Sequence, residues 1–181
     1  MKRTVLAFLI ILVLAVPCAF ASGLEVEWRA IPYQIQKYMD FDNDSASSSV
    51  QGFGSQTGVK YVSRSGFDAG VEVEIGAFSY SVVSNTTRID VALRGKVGLA
   101  TPIDSRVGFE LNFAGGIDYK TWDDGYLFCP TGKVNIGLRM KCSELNDCIA
   151  LNIGAAFKVE WKPDVWVDYS FAPYFGLDYK I

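Results

Sequence analysis

The chain has 181 residues, 50% of them hydrophobic and 14% aromatic, with four cysteines, no histidine and a formal net charge of −3. Without histidine, most catalytic triads are excluded. A mildly acidic chain with no basic cluster offers no footprint for nucleic acid, so no catalytic residue, metal or cofactor is expected, and the length fits one domain.

Met1-Lys2-Arg3 is a short basic head, Val5 to Val16 is an unbroken apolar run, and Pro17-Cys18-Ala19-Phe20-Ala21 ends in a small-residue cleavage pattern. These features predict a cleavable secretory signal over residues 1–21 and a mature domain over 22–181. No later apolar run reaches the roughly 18 residues a membrane helix needs, so any membrane crossing must be made by strands.

Period-two alternation then recurs along the chain. Leu24, Val26, Trp28 and Ala30 alternate with Glu25, Glu27 and Arg29, and after Pro32 the apolar phase switches to Ile31, Tyr33 and Ile35, which predicts a bulge. Lys37 to Ser49 is polar and predicts a first long loop. Further strands are expected over Val50–Ser63, Phe67–Ser81, Arg88–Thr101 and Arg106–Lys120, followed by a second long loop at Thr121–Gly132. Lys133–Lys141 and Ile149–Trp161 complete the series before the last stretch, Val165 to Ile181, whose odd-numbered residues are all apolar or aromatic. Seventeen alternating residues far exceed an ordinary strand of roughly 5–6 and suit a tilted membrane-spanning one. Eight strands joined by hairpins predict an all-β, eight-stranded antiparallel up-and-down transmembrane β-barrel.

Alternation alone does not say which face looks inward. In a soluble carrier such as a lipocalin the apolar face lines a cavity, whereas in a membrane barrel it meets lipid. Here the non-apolar face mixes glycines with charges, which fits a narrow lumen better than a solvated surface. Glu72 and Glu74 lie one strand from Arg94 and Lys96, followed by Glu110, Arg139 and Lys158, and these seven predict an acid–base ladder that fills the lumen. Asp40, Asp42 and Asp44 begin like a calcium loop, but Ser45 and Gln51 stand where its glycine and bidentate glutamate belong, so no metal site is assigned.

Export permits disulfides, and Cys142 and Cys148 bracket a short turn, predicting a bridge there and leaving Cys129 unpaired. Pro32 lies near the middle of the first strand and Pro173 near the middle of the last. In a closed barrel these strands are neighbours, so both prolines fall at one depth. Two readings stay open: the prolines shape a bulge, or they leave a seam through which an apolar ligand exits sideways.

The architecture resembles the small eight-stranded bacterial outer-membrane barrels, the group that includes the OmpA transmembrane domain, OmpX and OmpW. The resemblance spans 22–181, and its most specific element is the C-terminal row Phe171, Phe175, Leu177 and Tyr179, which looks like the signal read by the barrel-insertion machinery. Ile181 departs from the aromatic end usual in the family. The resemblance implies a non-enzymatic, monomeric protein of a Gram-negative outer membrane, partnered by lipid and the insertion machinery, with both termini in the periplasm and a structural or surface-interaction role. OmpW-like passage of a small hydrophobic ligand is the alternative function, and a secreted soluble carrier is a third.

Overall fold

The computed structural model describes residues 21–40, 49–79, 87–103, 105–122, 125–142, 148–162 and 166–181. The expected signal, apart from Ala21, and the aspartates 42 and 44 lie outside the described residues. Eight strands follow one another: β1 (Ala21–Asp40), β2 (Ser49–Ser63), β3 (Phe67–Ser79), β4 (Thr87–Ala100), β5 (Val107–Trp122), β6 (Gly125–Lys141), β7 (Ile149–Lys162) and β8 (Trp166–Lys180). Each is antiparallel to the next, and β8 pairs with β1 to close the barrel. Every strand has at least 13 residues, enough to cross a bilayer at a tilt.

The alternating sequence sorts side chains by face. On β4, Arg88, Asp90, Ala92, Arg94 and Lys96 point inward and are buried, while Ile89, Leu93, Val97 and Leu99 point outward. The same holds around the ring: Glu110 is 0% exposed, whereas outward Leu93 and Ile136 are 62% and 61% exposed. Charge lies inside and apolar surface outside, the reverse of a soluble carrier barrel.

The ends of the strands differ from expectation in two places. Instead of looping out at Lys37, β1 runs on to Asp40, where it pairs with Trp166 of β8. The expected second long loop is mostly strand: Tyr119, Lys120, Thr121 and Trp122 pair with Phe128, Leu127, Tyr126 and Gly125. Gly125, Pro130 and Gly132 read as turn formers, but Pro130 sits just beyond the last β6–β7 pair, Thr131 with Glu160, where a missing N–H disturbs no ladder with β7. On the outer face of this hairpin Tyr119, Tyr126 and Phe128 gather, with ring centroids 4.9, 5.8 and 6.1 Å apart.

The bulge in β1 is present, with a different phase. Ile31 stays on the inner face with Arg29, Pro32 and Tyr33 are both exposed, and Gln34 resumes the inward row. One extra residue is thus absorbed against β2, where Ile31 pairs with Gly54 and Gln34 with Gly52. At the end of the barrel that carries both termini, the β2–β3 turn uses Gly66 at φ +87°, and the Gly66 carbonyl accepts the Ala100 N–H at 2.7 Å. In the β4–β5 turn Ile103 is buried.

Candidate functional site

The inward rows of all eight strands meet in the lumen, where eleven acidic and nine basic side chains are buried among the described residues. The near balance allows almost every charge a partner, which burial demands. At the terminal end Glu110 receives Arg29 in a close pair and Lys60 Nζ at 2.5 Å, and Lys60 also lies 3.3 Å from Asp178. Arg139 binds Glu25 at 2.6 Å and Asp178 at 2.9 Å, and the Arg29 guanidinium stacks 4.7 Å above the Tyr174 ring. In the middle, Arg94 reaches Glu74 at 3.0 Å and Glu72 at 3.4 Å, and Lys133 reaches the same two at 2.6 and 3.1 Å. Gln56 joins the two levels, donating to Glu27 at 3.1 Å and Glu72 at 2.9 Å.

Lys158 carries the network onward, binding Glu160 at 2.6 Å, Asp118 at 3.3 Å and Glu74 at 3.5 Å. At the far end Lys120 bridges Glu160 and Asp168, Gln36 donates to Asp168 at 2.6 Å, and Arg88 Nε sits 2.7 Å from Asp90. Carboxylate oxygens of Asp90, Asp118 and Glu160 come within 4.8 Å of one another. Arg88, Lys120 and Lys158 supply their countercharge, so the three carboxylates form a knot of ion pairs.

The seven charges singled out in the sequence all point into the lumen, but not as one ladder. Glu72, Glu74, Arg94 and Lys158 share the middle level, whereas Glu110 and Arg139 belong to the terminal level. Lys96 pairs across the lumen with Glu27 of β1, not with its neighbours on β3. Sequence reasoning missed Glu25, Glu27, Arg29, Lys60, Lys120, Lys133, Glu160 and Asp178 as members. All lie on the non-apolar phase of their own strands, so the alternation held the signal.

The two prolines are brought level. Ala30 pairs with Phe175 and the next β1–β8 pair is Ile35 with Phe171, so four residues of β1 face three of β8 without register. Pro32 and Pro173 both point outward there, and behind them Ile31, Ala156, Ala172 and Tyr174 form an apolar cluster inside the barrel. The C-terminal row Phe171, Phe175, Leu177 and Tyr179 lines the outer face of β8, and exposed Ile181 extends the pairing by donating its N–H to Leu24 O at 2.9 Å.

The expected Cys142–Cys148 disulfide is not made. At the β6 end Lys141 pairs with Ala150 and the Cys142 N–H donates to Ile149 O at 2.9 Å. Cys129 is fully buried on β6 opposite Asp118, not in a loop.

No family model matches the chain, and no curated protein matches its sequence. Solved structures do match its fold. Neisserial surface protein A superimposes with a TM-score of 0.65 at 15% identity, over 88% of this chain and 98% of that one. Ail, the attachment invasion locus protein of Yersinia pestis, gives 0.52 at 10% identity, over 88% and 99%. With its eight strands, up-and-down closure and outward apolar face, the chain has the fold of the small eight-stranded outer-membrane barrels.

Proposed function

We propose that this protein is an integral outer-membrane β-barrel, exported by the signal over residues 1–21, that serves the envelope as a structural and surface-interacting element and catalyses no reaction. One observation carries the reading: an apolar exterior encloses a lumen filled from end to end by paired charges. Such a wall is stable only against lipid, and such an interior leaves no route for a general pore. The terminal end faces the periplasm, the C-terminal row on β8 is read by the insertion machinery, and the barrel works as a monomer. Expression in a Gram-negative host followed by fractionation tests the reading. The protein is expected in the outer-membrane fraction and to migrate faster in unheated than in boiled electrophoresis samples. A detergent-independent soluble protein would overturn it.

A second reading, OmpW-like passage of a small hydrophobic molecule, is favoured by the seam. There the β1–β8 register breaks beside Pro32 and Pro173, and the patch behind it gathers Ile31, Ala156, Ala172 and Tyr174. An apolar molecule could leave between unpaired backbones to the lipid at lower cost than anywhere else in the wall. Replacing both prolines by valine is expected to lower uptake of a hydrophobic dye by cells expressing the barrel. Unchanged uptake by a correctly folded double variant removes this reading and leaves the first intact.

A further inference from the structure

Two turns at the terminal end of the barrel, one joining β2 to β3 and the other β4 to β5, are tied together. The Gly66 N–H closes the first turn on Ser63 O at 3.0 Å, and the Gly66 carbonyl accepts the Ala100 N–H at 2.7 Å. Beside this tie lies a cleft of about 230 Å³, to which the first turn gives Arg64 and Ser65 while β4, the second turn and β5 give Leu99, Pro102 and Phe109. Leu99 and Phe109 both point outward, so the cleft opens on the outer wall and not into the lumen.

Its two halves differ in chemistry. Arg64 and Ser65 are exposed, and among the described residues no carboxylate pairs with Arg64. In the facing half the backbone donors are spent. The Ala100 N–H goes to Gly66, the Thr101 N–H to Phe109 O at 2.9 Å and the Phe109 N–H to Thr101 Oγ1 at 3.1 Å, and Pro102 has no N–H to give. What this half presents is the apolar surface of Leu99, Pro102 and Phe109, which continues the outward rows of β4 through Val97 and Leu93 and of β5 through Phe113 and Ile117. A free guanidinium at the end of a lipid-facing apolar wall matches the junction between the headgroup and the acyl chains of a lipid.

Charge selects the headgroup. Among the described residues lining the cleft none is acidic, so it can neutralise a phosphate and offers nothing to an ammonium group. We infer that the cleft is a binding site for one anionic glycerophospholipid of the phosphatidylglycerol class, whose phosphodiester takes the Arg64 guanidinium and the Ser65 hydroxyl while its acyl chains follow Leu99 and Phe109. The planar guanidinium fork fits two phosphate oxygens at once. The site rests on the outer-membrane reading, which sets the terminal end in the periplasmic leaflet.

Arg106 supplies the control: it is exposed in the same β4–β5 connection but does not line the cleft, so a general attraction of anionic lipid to basic rim residues would involve it as much as Arg64. The full barrel is refolded in detergent and mixed with phosphatidylglycerol or with phosphatidylethanolamine of the same acyl chains, and the lipid retained is counted by native mass spectrometry. The folded wild type is expected to retain one phosphatidylglycerol about fivefold better than phosphatidylethanolamine, the size of one exposed charge pair. Arg64→Gln should erase the preference and Arg106→Gln should keep it, with heat-modifiable migration confirming that each variant is folded. If Arg64→Gln does not fold, the wild-type preference and its competition with inorganic phosphate still decide the matter. Equal retention of the two lipids by the folded wild type, equal loss in the two variants, or displacement of the lipid by inorganic phosphate at the lipid's own concentration would overturn the assignment and leave the envelope reading standing. A chain that stays soluble without detergent would overturn both.

Discussion

Glu110 shows most directly what a single buried charge does in this barrel. Its carboxylate holds Arg29 and Lys60 at once, with Asn152 Nδ2 at 3.4 Å, and all four side chains are inaccessible to solvent. Removing one partner from such a group strands the others in a low-dielectric interior. Glu110→Ala is therefore expected to destabilise the barrel by about 3–5 kcal/mol, read as a lower denaturant midpoint for unfolding from liposomes. Restoring the balance by pairing it with Lys60→Met should recover part of the loss. That residues of this kind face inward was legible in the sequence, because Glu25, Glu27 and Arg29 alternate strictly with Leu24, Val26 and Trp28. Their partners were not. Arg29 and Glu110 are 81 residues apart and meet only because the barrel closes.

At the level of the strand, the outward rows carry the membrane argument. Leu93 lies near the middle of β4 and is 62% exposed, a position that makes sense against acyl chains and not against water. Leu93→Arg is expected to cost about 2–4 kcal/mol in a bilayer, measured by reversible folding into vesicles. A stability unchanged in that assay would place this face outside the hydrocarbon. The β5–β6 hairpin and the β1 bulge show where strand reading falters. Turn-forming Gly125, Pro130 and Gly132 disguised a continuous strand, and the phase change at Pro32 was visible while the side of Ile31 was not. A bulge changes the pleat only after its extra residue, so the inward or outward fate of the residues inside it depends on the partner strands.

For the whole molecule, the paired lumen predicts electrical silence. Lys60, Gln56, Lys133 and Lys158 link carboxylates from the terminal end to the far end. An eight-stranded barrel has interior width only for side chains. Planar-bilayer recordings of the refolded protein are expected to show no resolved channel steps at moderate voltage. Reproducible unitary steps would mean that the network opens and would revise the proposed role.

The sequence by itself determined the architecture and the two faces, since period-two alternation is a local property of a pleated chain and eight long repeats of it leave few closures available. Only the tertiary structure decided which charge meets which, and that Lys96 reaches across to Glu27. Those outcomes depend on register between strands distant in sequence. A shift of one residue there moves every side chain to the opposite face, and no local pattern records it.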